Sequence, residues 1–323
     1  MLTFSHPTPA AIPDIVELWN AAFGPDLPMT ARLLRQTVEG DPYYDPEGVW
    51  IAQADGQLVG WVLSKSMQSA GPELGRFQGR GGIGGLCVHP DYQRRGIATQ
   101  LLDRAENYLR ASGSPVTTLY FPHHLLPGIP AECEAALALF KKRGYSGFNL
   151  SVDMWHDLTD YALPAKVKEA MANNPEVELR PAQDGEVDAV IKMVEREFPG
   201  GWTYSTRRHF RSGGKVSDIV IAIEQGEVIG FCHTADWHSA WLLPSTYWFP
   251  LLGEYYGGLG PVGMAAAHRK RGLGLAITAM AVWNLKQRGV RQMAIDWTSL
   301  VDFYGKLGFS VWKRYLQAEQ KIC

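Results

Sequence analysis

No apolar run in this sequence approaches the roughly eighteen residues needed to cross a bilayer, so no membrane role is expected. Cysteine is scarce. The four residues Cys87, Cys133, Cys232 and Cys323 lie far apart and form no CxxC pair. That scatter argues against zinc ligands or a disulfide frame and reads as reduced thiols in a cytoplasmic protein. Excess charge is missing too: 31 Lys and Arg against 33 Asp and Glu leave a formal charge of −2. A general nucleic-acid binder carries a basic surplus, so that class is not expected. The opening Met1-Leu2-Thr3-Phe4-Ser5-His6-Pro7 has neither the basic start nor the apolar core of a secretory signal, which again points to the cytosol. No GxxxxGK[ST] run exists, hence no Walker loop. What is present is a globular composition, 46% apolar and 20% charged, which excludes a disordered chain. Its 323 residues are enough for two domains.

The sequence repeats itself at half-chain spacing. Ile51-Ala52-Gln53-Ala54-Asp55-Gly56-Gln57-Leu58-Val59-Gly60 reads almost like Ile221-Ala222-Ile223-Glu224-Gln225-Gly226-Glu227-Val228-Ile229-Gly230. Both are strand, tight turn, strand signals in which the turn glycine supplies a positive φ. Upstream, an amphipathic helix over Ile12 to Phe23 matches one over Val187 to Phe198. Downstream, Gln93-Arg94-Arg95-Gly96-Ile97-Ala98 matches Arg269-Lys270-Arg271-Gly272-Leu273-Gly274, and Phe140-Lys141-Lys142-Arg143-Gly144-Tyr145 matches Tyr304-Gly305-Lys306-Leu307-Gly308-Phe309. The last spacing is shorter, so the first copy carries additional residues, most simply within 121–134. The chain therefore reads as a duplicated α/β unit: helix, strand hairpin, strand, glycine loop, helix, strand, helix, strand. Expected boundaries are 1–156 for the first domain, 157–176 for a polar linker with Pro164 and Pro175, and 177–323 for the second.

Each glycine loop lies between a strand end and a helix start. The strand Leu86-Cys87-Val88 runs into His89-Pro90 and Gln93 to Ala98, followed by a helix with apolar residues at Leu101, Leu102, Ala105, Tyr108 and Leu109 on one face. At such a helix start the first N–H groups lack intrahelical partners and the dipole is positive. Gly96 lets an anion approach the backbone, small Ala98 keeps the next turn open, and Arg94 and Arg95 add charge. The pattern predicts a diphosphate cradle.

These residues reach a family. Gln93-x-x-Gly96-x-Ala98 and Arg269-x-x-Gly272-x-Gly274, each after a strand and before a helix, resemble the acetyl-CoA signature of GNAT N-acetyltransferases. The resemblance implies an α/β (α+β) fold: two tandem GNAT domains, each a mixed, mostly antiparallel central sheet flanked by helices. In length and division of labour the build resembles that of mycothiol synthases. It also implies that acetyl-CoA is held by Leu86, Val88, Gln93, Arg94, Arg95, Gly96, Ala98 and Thr99 in the first copy. In the second the holders would be Val262, Met264, Arg269, Lys270, Arg271, Gly272, Gly274 and Leu275. The pantetheine arm would lie along Leu86–Val88 or Val262–Met264 like an added strand. A rival signature, Gly79-Arg80-Gly81-Gly82-Ile83-Gly84, satisfies GxGxxG but precedes a strand instead of opening a helix, so its dinucleotide context fails.

In many members of this family a tyrosine just before the Lys-x-Gly-Phe element gives a proton to the departing thiolate. The second copy has Tyr304 there; the first has Phe140, which has no hydroxyl. Transfer is therefore expected in the C-terminal copy, with a degenerate N-terminal partner. Where relatives carry a glutamate base on the strand, this chain has Gly82 and Gly258. Asp296, at the end of Met293-Ala294-Ile295 and beside Trp297, is the first candidate base, because desolvation there raises a carboxyl. Glu254, Asp236 and His233 are weaker candidates.

Aromatics crowd the segment before the second loop: Trp237, Trp241, Tyr247, Trp248, Phe249, Tyr255 and Tyr256. They suit a cationic amine or a sugar face, or else they pack a contact between domains. His123 and His124 read as loop residues, since neighbours on an extended chain point apart, and no metal site is expected. The expected activity is acetyl transfer from acetyl-CoA to a primary amine of a small molecule. A protein or peptide amine acetyltransferase, and a non-catalytic acyl-CoA sensor or scaffold, stay open beside it.

Overall fold

The computed structural model describes residues 1–68, 71–120 and 125–321. His123, His124 and Cys323 lie outside the described residues. In chain order the elements are β1 (Leu2–Ser5), α1 (Ile12–Phe23), α2 (Ala31–Thr37), β2 (Val49–Ala54), β3 (Gln57–Ser66) and β4 (Gly81–Val88). There follow α3 (Ile97–Ala111), β5 (Val116–Thr118), the two-residue β6 (Ile129–Pro130), α4 (Glu134–Lys142) and β7 (Ser146–Asp157). Then come α5 (Ala165–Ala172), β8 (Val177–Pro181), α6 (Val187–Glu197), α7 (Gly201–Arg211), β9 (Ile219–Glu224) and β10 (Glu227–Asp236). The chain closes with β11 (Tyr256–Met264), α8 (Leu273–Gln287), β12 (Gln292–Thr298), α9 (Val301–Gly305) and β13 (Ser310–Lys321).

Two compact units result. The first comprises residues 1–71, 76–151 and 314–323; the second comprises 72–75 and 152–313. In the first, the strands lie in the order β1-β2-β3-β4-β5-β13. Among the described residues only β4 and β5 run parallel, and they pair at Gly81↔Thr117 and Gly82↔Thr118. In the second, the order is β8-β9-β10-β11-β12-β7. Only β11 and β12 are parallel, paired from Tyr256↔Gln292 to Leu259↔Ile295. The expected repeat and the mixed, mostly antiparallel sheets are what the structure contains.

Local chemistry explains the repeated parts. At both hairpins two consecutive residues adopt left-handed φ, Asp55 (50°) and Gly56 (86°), then Gln225 (52°) and Gly226 (83°). This turn matches the right-handed twist of its strands. The α3 stripe Ile97, Leu101, Leu102, Ala105 and Leu109 is buried, against Val59, Val62, Ile83 and Val88. Helix α8 is apolar on more than one side and packs Ile277, Ala281 and Leu285 into the second core with Leu259, Met293 and Ile295. The glycine-rich run 79–84 enters β4, where a Cβ on Gly81 would stand 2.8 Å from Leu109. Glycine is there for close packing, not for a dinucleotide.

Two boundaries differ from the sequence reading. The stretch 157–176 is not a loose linker: Leu158, Tyr161 and Val167 are buried in the second core, and the Tyr161 hydroxyl donates to Ala279 O. Residues 314–321, expected to close the second domain, belong to the first unit. There β13 lies antiparallel to β5 through Glu319↔Thr118, Gln320↔Thr117 and Lys321↔Val116, and its Tyr315 is opposite Pro130 of β6. In return, Val152–Asp157 of β7 belongs to the second unit, antiparallel to β12. Each repeat thus gives its last strand to the other unit.

This exchange has a measurable consequence. Deleting residues 314–323 should strip amide-exchange protection from β5 and lower the melting temperature of the first unit. The pairing of β11 with β12 should stay protected. Uniform loss of protection in both units, or none in β5, would contradict the assignment.

Candidate active site

The two glycine loops have the same backbone. Gly96 and Gly272 cap their helices with φ 79°, and Arg94 (62°) and Lys270 (65°) also take left-handed φ. Alternating left-handed residues turn successive N–H groups toward one point, and each 15-residue helix adds the positive end of its dipole. Both loops therefore fit a diphosphate. The first signature residue of each serves as a pin. The Gln93 side chain donates to Val88 O at 3.2 Å, and Arg269 Nε donates to Met264 O at 3.0 Å. Both bonds tie the loop to the last residue of the strand before it.

The loops differ in their surroundings. Around Gly96 a Cβ would meet nothing within 4 Å, whereas at Gly272 it would stand 2.8 Å from Ala170 of α5. Arg95 is exposed, its guanidinium donating to Asp91 O and lying over Tyr92. The matching Arg271 is taken by carboxylates, with Glu224 at 2.8 Å and Glu176 as a second partner. Asn174 accepts from its Nε. The Arg271 guanidinium is thus a brace between loop and sheet, whereas Arg269 and Lys270 are exposed. Leu86 and Val88, Val262 and Met264 lie on the strands that lead into the loops; Ala98, Thr99, Gly274 and Leu275 open the helices.

Beyond the last paired residues each parallel strand pair parts. In the first unit the opening is an apolar cleft with about 460 Å³ of empty space, lined among others by Ile83, Leu86, Leu119, Leu126, Ile129 and Phe140. Leu126 and Ile129 come from the additional residues of the first copy and are buried there. Phe140 ends the cleft without a hydroxyl.

In the second unit one candidate acid–base group lies on a parting strand and the other on the helix α9 that follows it. Asp296 follows Ile295, the last residue of β12 paired with β11. Its Oδ1 lies 3.3 Å from where a Cβ on Gly260 of β11 would stand. Burial, followed by the charge of Asp153, pushes the Asp296 carboxyl up to about 8. Tyr304 stands on α9, buried, with Phe303 and Phe309 edge-on to its ring. Burial first, then Cys232 and Asp296, push the phenol well above its ordinary range, so it keeps its proton. The two groups are close enough to feel each other electrostatically.

The weaker candidates are placed elsewhere. Asp236 is buried at the end of β10, with Arg288 at 2.6 Å and His238 N donating to it. His233 is buried edge-on to His209 at 4.3 Å. Glu254 is exposed. Part of the aromatic set is core: Phe249 stacks on Tyr256 at 4.9 Å, and both pack with Trp237, Leu252 and Ala294. Tyr255 is exposed beside Trp237, and Trp202 of α7 is exposed beside Phe198. Sequence reasoning missed Ser245. Its buried hydroxyl has no hydrogen-bond partner among the described residues, and a Cβ on Gly258 would lie 2.5 Å from it. The place of the absent glutamate is therefore filled by the turn Pro244–Thr246.

Residues 12–145 match the family described as Acetyltransferase (GNAT) family. The chain is 27% identical over 263 residues to mycothiol acetyltransferase of Corynebacterium efficiens, covering 76% of this chain and 78% of that one. It is 25% identical to the protein of the same name from Corynebacterium glutamicum, over 73% and 74% of the two chains. Among solved structures it is similar to a GCN5-related glucosamine N-acetyltransferase region of a fungal multi-domain GH3 β-N-acetylglucosaminidase, with TM-score 0.87 and 26% identity. That match covers 99% of this chain but only 38% of the larger fungal protein. A tandem GNAT protein from the clavulanic acid biosynthesis pathway has TM-score 0.65 at 17% identity, over 100% and 99% of the two chains; at that identity the likeness concerns the fold.

The filling of Gly258 is testable. Gly258→Ala places a methyl against Ser245 Oγ and Cβ at 2.5 and 2.8 Å. Overpacking of this kind costs about 1–3 kcal/mol, or several degrees in melting temperature. Gly305→Ala on α9, where a Cβ meets nothing within 4 Å, should melt like the parent. Equal melting of all three proteins would show that the turn over Gly258 yields freely.

Proposed function

The chain is a GNAT-family acetyltransferase of tandem build, and from that premise we propose that its second unit acetylates the primary amine of a small molecule. The observation that carries the reading is that Asp296 stands where β11 and β12 part and is near enough to Tyr304 to act on its protonation. Acetyl-CoA, when bound, supplies the activated thioester. The loop N–H groups of 270–274 and the α8 dipole would hold its diphosphate, and Val262–Met264 would offer backbone bonds to its arm.

The remaining steps belong to this chain's own side chains. Attack requires a neutral amine, and the Asp296 carboxylate is placed to accept the proton that the nitrogen gives up. The Tyr304 hydroxyl keeps its proton at neutral pH and can give it to the departing sulfur. Among the described residues no hydrogen bond occupies that hydroxyl. The partly buried setting strengthens the interactions of both groups with the reacting atoms.

An amino sugar is the first acceptor to try. The fungal region is named for glucosamine, and the exposed rings of Trp202 and Tyr255 offer faces that suit a sugar. The first unit reads as a CoA-binding structural partner. Its loop is intact, but Phe140 lacks the hydroxyl, Gly82 lacks a carboxylate, and Leu126 and Ile129 line the cleft with apolar side chains. Ligand bound there would stabilise the fold by roughly RT ln(1 + [L]/Kd).

Two measurements test this. Tyr304→Phe should lower kcat about 10²–10⁴-fold, with less effect on KM for acetyl-CoA, because an acid for the leaving thiolate acts in the transition state. A loss below about threefold, small against the 10²–10⁴ expected of a general acid, would assign that proton to water. Second, Gly274→Trp and Ala98→Trp crowd the two cradles at matching positions without touching the Arg271 brace. The first should abolish turnover. The second should leave most turnover and reduce the thermal stabilisation given by CoA. The opposite pattern would move the reaction to the first unit.

A further inference from the structure

β12 does not run regularly past the point where it leaves β11. Against β7 its register shifts between Ile295↔Met154 and Thr298↔Val152, so Asp296 and Trp297 together oppose the single residue Asp153. Two residues facing one is a β-bulge, a device that bends the strand and re-aims a side chain. Trp297 takes φ 43°, an unfavourable region for a bulky residue that persists only where the surroundings hold it. The hold is visible: Asp153 Oδ1 accepts the Trp297 N–H at 3.1 Å. Asp153 is itself buried. It is carried by the portion of β7 that the first repeat gives to the second unit.

We propose that Asp153 is a positioning residue for acetyl transfer: its carboxylate, opposite the bulge, holds the Trp297 N–H and so aims Asp296 at the parting of β11 and β12, with Asp153 as a neighbouring second carboxyl. The inference rests on the reading of Asp296 as the proton acceptor. The groups around Asp296 can be named element by element. From β7 there is Asp153, from α9 Tyr304, from β11 the backbone of Gly260, and behind Tyr304 the buried thiol of Cys232 on β10. Among the described residues no cation contributes to the charges acting on Asp296. Two neighbouring carboxyls cannot both ionise readily, and the charge of Asp153 acts to raise Asp296.

The sign follows. Asp296 accepts a proton only when ionised, so kcat/KM should rise with pH through about 8, where its carboxyl titrates. Asp153→Asn keeps an oxygen for the Trp297 N–H but removes the neighbouring charge, so the titration should move to lower pH. Asp153→Ala removes the bond as well.

The experiment follows the side-chain carboxyl carbons of ¹³C-aspartate-labelled full-length protein by NMR across pH, with Asp296→Asn to assign the resonance. Turnover of acetyl-CoA with D-glucosamine and a panel of small primary amines is measured alongside. The expected result is a midpoint for Asp296 that falls by about one pH unit or more in Asp153→Asn, with near-parent melting. The acid limb of kcat/KM should move with it. An unmoved Asp296 titration in Asp153→Asn overturns the proposal, even if that variant melts lower, because Asp153 would then be structural only. Turnover and pH profile unchanged in Asp296→Asn would instead defeat the underlying reading of the base.

Discussion

The constraint on which the rest depends is that two parallel strands stop pairing part-way along. β11 and β12 bond as far as Leu259 and Ile295 and then separate; β4 and β5 do so after Gly82 and Thr118. Parting leaves backbone donors and acceptors that a buried sheet cannot leave unsatisfied. The outer strand of each pair is held along its other edge by an antiparallel neighbour, β7 beside β12 and β13 beside β5, so the edge freed by parting still faces the opening. The inner strand keeps its partner on the far side and presents its other edge to the opening. An extended ligand arm is a natural occupant of such an edge, since it offers amide groups in strand-like spacing.

Chemistry at the opening comes from burial more than from charge pairing. For both Asp296 and Tyr304 desolvation is the first cause of the displaced protonation equilibrium. Neither group is tied to an arginine or lysine, in contrast to Glu224, whose carboxyl is held low by Arg271. The unit therefore separates two kinds of acidic residue. Those that brace the fold are matched with cations, and those near the parting strands are left in dry surroundings, where a proton moves at moderate free-energy cost. One unit of pKa corresponds to about 1.4 kcal/mol, so a modest environment suffices to change which form prevails near neutrality.

Much of this was legible in the residue order. Turn glycines, amphipathic stripes and the loop signature are local patterns, and Gly56, Gly226, Gly96 and Gly272 all adopt the left-handed backbone those patterns require. Tyr304 and Asp296 stood out as candidates because one sits at a fixed place in the repeat and the other ends an apolar strand beside an indole. What the order did not disclose is non-local. Nothing in 146–157 or 310–321 states which copy's sheet each strand will join, because period-2 alternation fits either edge. Asp153 escaped notice for that reason: its importance comes from facing a bulge on a strand more than a hundred residues away. Arg271 looked like a phosphate ligand until Glu176 and Glu224 appeared beside it. Pro164 and Pro175 suggested a linker, yet the apolar face of α5 was sufficient to bring Val167 into the core.

The exchanged strands also set a timetable for synthesis. Residues 1–151 leave the ribosome early, but the neighbour of β5 lies at 314–321. At roughly 5–20 residues per second, the intervening chain takes on the order of 10–30 s to appear. During that interval the first sheet waits with a bare edge, which is a template for wrong partners. The edge is only three residues long, Val116–Thr118, and a strand so short offers a stray chain few bonds. The brevity of β5 protects a nascent sheet that must remain unfinished until residues 314–321 are made.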